Sequence, residues 1–117
     1  MERQGKEGEE AAVRYLKDHG YSIRERNWTF GQREVDIIAE KEDLLIIAEV
    51  KTQKNRRFGS PQFRVNKNKQ ENLVQAANGY VHRKGLDRDV RFDILAVIIN
   101  QEGEEVHHIE DAFGPRW

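Results

Sequence analysis

The stretch Glu34–Lys51 reads EVDIIAEKEDLLIIAEVK, and it decides how the rest of the chain is organised. It contains two apolar runs of strand length, joined by the charged residues 41–43. A connection this short predicts a hairpin of adjacent antiparallel strands. The hairpin would bring Asp36, near the start of the first run, close to Glu49 at the end of the second. Glu49 and Lys51 would share one strand face, because residues two apart point to the same side.

Composition predicts a single domain, residues 1–117, with a heavily solvated surface. Charged residues are 35% of the chain, against roughly 25% in typical globular proteins. The chain has no cysteine, which excludes disulfides and thiolate metal sites. The charged N-terminal segment is unlike a signal peptide, and no apolar run approaches the roughly 18 residues of a membrane span. We therefore expect a cytoplasmic protein with no membrane partner.

Two helices and three further strands are predicted around the hairpin, which indicates an α/β fold. Ala12, Val13 and Leu16 form the apolar stripe of an N-terminal helix that ends at Gly20. A second amphipathic helix is predicted over residues 66–84. The predicted strands, in the order α-β-β-β-α-β-β, are residues 21–28, 33–40, 44–51, 90–99 and 106–109.

Two carboxylates and an ammonium group at one place form a candidate Mg²⁺ site for phosphodiester hydrolysis. Mg²⁺ takes hard oxygen ligands, often one or two carboxylates, which Asp36 and Glu49 would supply, with the Val50 carbonyl as a third ligand. Lys51 could orient the attacking water or stabilise the phosphate. Glu9, on the inward or boundary side of the first helix, could complete the outer shell. The alternatives are a Glu49–Lys51 ion pair worth about 0–1 kcal/mol and a Glu9 side chain that only favours the helix dipole.

A basic stretch, residues 51–70, follows the candidate site and contains no acidic residue. Thr52 is expected to open a polar loop that begins this stretch. The positive charge of this basic stretch suits contacts with a phosphate backbone. The candidate nucleic-acid-binding residues are Lys54, Arg56, Arg57, Arg64, Lys67 and Lys69. DNA is favoured over RNA as the partner, and a homodimer would suit concerted cutting of two strands.

Other chemistries have less support in the sequence. There is no glycine-rich phosphate loop, and neither a cysteine nor a G-x-S-x-G motif supports covalent acyl chemistry. Asp93 is expected to pair with Arg91 or a loop residue in a structural role. Four histidines show no ligand spacing and are interpreted as surface or boundary residues: His19, His82, His107 and His108.

Six short motifs occur in order along nearly the whole chain, to about Phe113. They are G-x-x-G-E-x-x-A at Gly5–Ala12, E-V-D-I-I-A at Glu34–Ala39, E-V-K at Glu49–Lys51, F-G-x-P at Phe58–Pro61, a helix lysine at Lys69, and R-F-D at Arg91–Asp93. Together they resemble the YraN-like family of small bacterial proteins, within the PD-(D/E)xK nuclease superfamily. Arg33 replaces the glycine usual before Glu34, and Gln53 replaces an arginine, which removes one expected phosphate contact.

The resemblance implies a restriction-endonuclease-like core, a central mixed β-sheet flanked by helices, similar to archaeal Holliday junction resolvases. It implies active-site positions at Glu9, Asp36, Glu49 and Lys51, with Mg²⁺ or Mn²⁺ as cofactor. We therefore expect a metal-dependent DNA endonuclease that selects its substrate by structure. The first alternative is a catalytically silent nucleic-acid-binding or adaptor module of the same fold. A protein-interaction domain that uses the acidic residues 102–111 is another.

Overall fold

Two helices and five strands make up the fold, and the computed structural model describes residues 3–54 and 65–114. The helices are α1, Arg3–Asp18, and α2, Lys67–Lys84. The strands are β1, Ser22–Phe30; β2, Arg33–Lys41; β3, Leu44–Gln53; β4, Asp89–Asn100; and β5, Gly103–Phe113. Their order along the chain is the predicted α-β-β-β-α-β-β.

The strands form one sheet in the order β1-β2-β3-β4-β5. β3 and β4 are parallel, and all other neighbouring strands are antiparallel. A parallel pair needs a long crossover connection, and α2 lies within it. The predicted α/β fold, with the mixed central sheet of a restriction-endonuclease-like core, is therefore confirmed. Neither α1 nor α2, the helices of the described ranges, is long and apolar enough to cross a membrane.

The opening stretch forms the predicted hairpin between β2 and β3. Lys41 pairs with Leu44, so Glu42 and Asp43 alone form the turn. Glu42 has a φ of 57°, the left-handed conformation that tight two-residue hairpin turns use at their first central position. The three charged residues of the connection are thus exposed, at the end of β2 and in the turn, and both apolar runs are free to enter the sheet.

β3 is the central strand, and it is covered on both faces. Leu45 and Ile47 pack in the cluster that contains α2, whereas Ile46 packs in the cluster that contains α1. This two-sided burial explains the continuous apolar run in its sequence. Because strand side chains alternate, Glu49 and Lys51 continue the row that faces α2.

α2 has defined ends and a close contact with β1. The Asn66 side chain caps its start by accepting a hydrogen bond from the Lys69 N–H, and Gly85 ends it with a φ of 62°. Gly79 lies against the Phe30 ring of β1 so closely that a Cβ atom there would overlap the ring. The missing side chain therefore lets α2 approach the edge of the sheet.

Two strand boundaries correct the sequence predictions. Thr52 does not open a loop, because β3 continues beside β4 as far as Gln53, which pairs with Ile98. The last strand is Gly103–Phe113 and much longer than the predicted 106–109. It lies at the edge of the sheet, where polar side chains can point into water, so apolar alternation marks only its centre.

Asp93 holds β4 and β5 together from a fully buried position at 0% exposure. Its carboxylate accepts hydrogen bonds from Arg91 Nε and Nη2 at 2.9 and 2.8 Å, and from the Asp111 N–H at 3.0 Å. His108 Nε2 lies 2.6 Å from Asp93 Oδ2. Burial opposes ionisation, but the bonds from His108 and Arg91 prevail and lower the pKa of Asp93. The predicted pairing with Arg91 is confirmed.

His108 is a boundary residue, as the sequence predicted. Its side chain is nevertheless buried, at only 5% exposure. The neighbouring residue, His107, is half-buried and points elsewhere, with its Nε2 2.5 Å from Glu105 Oε2. Adjacent strand residues face opposite sides of the sheet, and His108 is the one of the pair that faces α1, where its ring contacts Tyr15 and Tyr21.

Candidate functional site

The candidate site lies where β2 separates from β3. Their pairing ends at Ile37 and Ala48, one residue before Asp36 and Glu49 would face each other. Beyond that point, Asp36 Oδ2 accepts a hydrogen bond of 2.8 Å from the Val50 N–H. A side-chain carboxylate thus takes the place of a backbone acceptor, and this bond fixes Asp36 against β3.

Glu49 is the most buried acid of the site, with a side chain only 8% exposed. Its carboxyl group lies close enough to Asp36 for the two negative charges to repel each other, so the hairpin brings the two acids together as predicted. Burial and then the charge of Asp36 raise the pKa of Glu49 to about 7, against the opposing effect of two lysines. Its Oε1 atom is buried and has no hydrogen-bond partner in the part of the chain that the structure describes.

Asp36 also resists ionisation. Its pKa is raised, chiefly by burial, although the hydrogen bond from Val50 acts in the opposite direction. The negative charge of Glu9 raises the pKa of Asp36 further, and Lys69 lowers it. Two acids that both bind protons more tightly than usual form a site that a cation would stabilise.

Two lysines approach the same oxygen of Glu49. Lys51 Nζ, from β3, lies 3.9 Å from Glu49 Oε2, and Lys69 Nζ, from α2, lies 3.7 Å from it. Their side chains are 31% and 40% exposed, so both ammonium groups can also reach solvent. Lys69 was predicted to contact nucleic acid, but its place beside Glu49 was not. The only signal in the sequence was the helix lysine among the family-like motifs.

Glu9 reaches the site from the opposite face of the sheet. α1 packs closely on β3 there, because a Cβ atom on Gly8 would overlap the Thr52 side chain. The Glu9 carboxylate accepts a 3.2 Å hydrogen bond from Asn27 Nδ2 and lies 3.7 Å from Arg26 Nη2. Glu9 is thus half-buried, as predicted, and it has two partners of its own. Its role in the outer shell stays a prediction.

The donor set fits a hard divalent cation. Asp36 and Glu49 offer carboxylate oxygens, and the buried Glu49 Oε1 has an acceptor position that no described group uses. Mg²⁺ commonly takes one or two carboxylates and completes its shell with water and substrate oxygens. Within the described ranges, no group of three or more acid or histidine side chains is placed to hold a metal ion together, so Asp36 and Glu49 act here as a pair of candidate ligands.

Of the other predicted nucleic-acid contacts, two lie within the described ranges and three lie outside them. Lys54 is exposed just beyond β3, where its carbonyl accepts a 3.0 Å hydrogen bond from Asn100 Nδ2. Lys67 is exposed at the first residue of α2. Three candidates and the F-G-x-P motif lie outside the described residues: Arg56, Arg57, Arg64 and Phe58–Pro61.

Comparison with known proteins agrees with the motif resemblance. Residues 8–97 match the family model described as uncharacterised protein family UPF0102. A UPF0102 protein of Phocaeicola vulgatus is 46% identical over 111 residues, which cover 95% of this chain and 92% of the relative. UPF0102 proteins of Flavobacterium psychrophilum and Christiangramia forsetii are 50% and 49% identical over 109 residues, 93% of this chain and 92% of each relative. The chain therefore belongs to the uncharacterised protein family UPF0102, the YraN family that its motifs resemble.

Proposed function

We propose that this protein is a Mg²⁺- or Mn²⁺-dependent endonuclease that hydrolyses DNA phosphodiester bonds and selects its substrate by structure. One observation carries the proposal. Two acids that resist ionisation and two lysines converge where the sheet opens, and the buried Glu49 Oε1 has no partner in the described structure. A buried carboxylate without a full set of partners is costly. A cation would supply a partner for the carboxylates, and an anionic substrate would supply one for the lysines.

The residues have distinct chemical tasks in this proposal. Asp36 and Glu49 would hold the cation, which when bound stabilises negative charge on the phosphoryl oxygens. The Val50 N–H keeps Asp36 in a fixed orientation, so little reorganisation is needed when the cation binds. Lys51, whose ammonium group is near Glu49 and partly exposed, can donate hydrogen bonds to the phosphate or the attacking water.

The basic surroundings favour a nucleic acid as the substrate. Lys54 and Lys67 are exposed after β3 and at the start of α2, the two elements that carry the site lysines. Lysine contacts to phosphates add affinity that does not depend on base sequence. Selection by DNA structure, as the resemblance to junction resolvases implies, suits contacts of this kind.

The test is cleavage of labelled single-stranded, duplex, flap and four-way-junction DNA with Mg²⁺ or Mn²⁺. Asp36→Asn and Lys51→Met should each lower the cleavage rate by about 100-fold or more. Asn keeps an acceptor for the Val50 N–H, so the fold should be preserved, which circular dichroism would verify. Asp43→Asn, in the exposed hairpin turn, is the matched control and should cleave like the wild type.

Two results would count against the proposal. Cleavage by Asp36→Asn or Lys51→Met at the wild-type rate would remove these residues from catalysis. Binding without cleavage of any DNA, with either metal, would instead favour the catalytically silent nucleic-acid-binding module. The ion pairs of Glu49 with Lys51 and Lys69 give that alternative its own support, since they partly neutralise the site without a metal.

A further inference from the structure

Lys51 and Lys69 compete for one acceptor. Both ammonium nitrogens lie near Glu49 Oε2, at 3.9 and 3.7 Å, which is longer than a hydrogen bond. Lys51 is on the same strand face as Glu49, so its proximity follows from the fold of β3 alone. Lys69 comes from a different element and is more exposed. Its ammonium group is therefore loosely held and accessible to a second anion.

The start of α2 also lacks the anion that a helix start favours. Its first turn contains Lys67 and Lys69 but no acidic residue. Positive side chains are unfavourable there, because the helix dipole places partial positive charge at the N-terminus. Glu49 offsets part of this charge, but Lys51 shares its carboxylate. An anion bound beside Lys69 would be stabilised by the ammonium groups and by the helix dipole together.

The charge balance of the site changes when a divalent cation binds. Asp36 and Glu49, when ionised, balance Lys51 and Lys69. A divalent cation on the two carboxylates leaves an excess of positive charge, and it weakens the attraction between Glu49 and both lysines. An anion that reaches both the cation and the start of α2 would reduce this excess. A phosphodiester carries one negative charge and has oxygens for both.

We propose that Lys69 binds the phosphodiester at the reacting centre, and that Glu49 retains it only until a divalent cation occupies the two carboxylates. This inference rests on the proposed function, since it assigns the substrate contact of the same site. Lys69 then differs from Lys54 and Lys67, which attract the DNA backbone whether or not the cation is present. Cation binding and DNA binding are consequently coupled through Lys69, and each strengthens the other.

The experiment measures binding of a fluorescein-labelled four-way-junction DNA by fluorescence anisotropy, in Ca²⁺ and in EDTA. Lys69→Met should weaken binding by about tenfold in Ca²⁺ and by less than about twofold in EDTA. Lys67→Met is the matched control, two residues away in the same turn. It should weaken binding by the same factor in both solutions. Lys69→Arg keeps the charge and should retain most of the Ca²⁺ effect.

A second pair of variants tests the release from Glu49. In Glu49→Gln the carboxylate no longer holds Lys69, so adding Lys69→Met should weaken binding about tenfold even in EDTA. An equal loss for Lys69→Met in Ca²⁺ and EDTA, or no loss in either, would overturn the proposal. So would a wild type that does not bind the junction. A cleavage assay tests the proposed function separately. A catalytically silent binding module would not cleave DNA, but Lys69→Met would still weaken its DNA binding in Ca²⁺ and not in EDTA.

Discussion

Replacing Glu49 with glutamine should stabilise the metal-free protein. The Glu49 side chain is 8% exposed, beside Asp36, and one of its oxygens has no hydrogen-bond partner among the described residues. An ionised carboxylate is therefore less stable there than in the unfolded chain. Glutamine has nearly the same shape, carries no charge, and its amide can donate a hydrogen bond to Asp36. The variant should lose the candidate metal site and gain stability at the same time.

The magnitude follows from the pKa of Glu49, which rises from 4.5 to about 7 on folding. Between these values the folded protein binds more protons than the unfolded chain, so the free energy of unfolding falls as the pH rises through this window. Each factor of ten in proton affinity is worth about 1.4 kcal/mol, so above pH 7 the free energy of unfolding is lower by roughly 3 kcal/mol than it is below pH 4.5. Glu49→Gln avoids this loss, which corresponds to a melting temperature about 10 °C higher.

The assay is thermal unfolding followed by circular dichroism, in EDTA, across the pH range. The stability gain of Glu49→Gln should be largest above pH 7 and should disappear near pH 4.5. Glu40→Gln is the control of opposite sign, because hydrogen bonds from Arg88 and Arg24 prevail over burial and lower the pKa of Glu40. Glu40→Gln should be less stable than the wild type at neutral pH. Equal or lower stability of Glu49→Gln above pH 7 would refute the reasoning.

Two further predictions concern the framework of the site, and urea unfolding would check both. Asp93→Asn should lower the free energy of unfolding by about 3 kcal/mol, because it leaves the charge of Arg91 without its buried partner and weakens the contact with His108; unchanged stability would exclude a structural role. Gly79→Ala should cost about 1–2 kcal/mol despite the better helix propensity of alanine, since the new methyl group overlaps the Phe30 ring. Adding Phe30→Leu should then recover part of that loss, and no recovery would rule out the overlap as the cause.

The sequence predicts the features that depend on neighbouring residues. The apolar runs, the short charged connection and strand alternation are enough to place Asp36 beside Glu49 and to put Lys51 on the same face. The helix signals are local too. The predicted helix 66–84 agrees with α2 to within one residue, because the caps Asn66 and Gly85 act on backbone groups within one turn. Element order and the centre of the site were therefore accessible before any tertiary contact was known.

The features that the sequence did not predict depend on contacts between distant elements. Lys69 meets Glu49 only because α2 crosses the sheet in a particular direction, and side-chain periodicity does not fix that direction. Glu9 was expected on the inner or boundary side of its helix, but its partners, Arg26 and Asn27, belong to an edge strand with no strong pattern. The full length of β5 was missed for the same reason, since paired edge residues can be as polar as a loop.

The position of the site follows from how the sheet ends. β3 stays paired with β4 as far as Gln53, while β2 leaves it after Ile37 and Ala48. The first half of β3 is therefore uniformly apolar and tightly covered, and the polar residues occur only where one neighbour is gone. There, Asp36 replaces the lost backbone acceptor and Glu49 is left buried beside it. A sequence selected only for stability would have placed neutral side chains at this opening, so the position of these acids supports the proposed cation site.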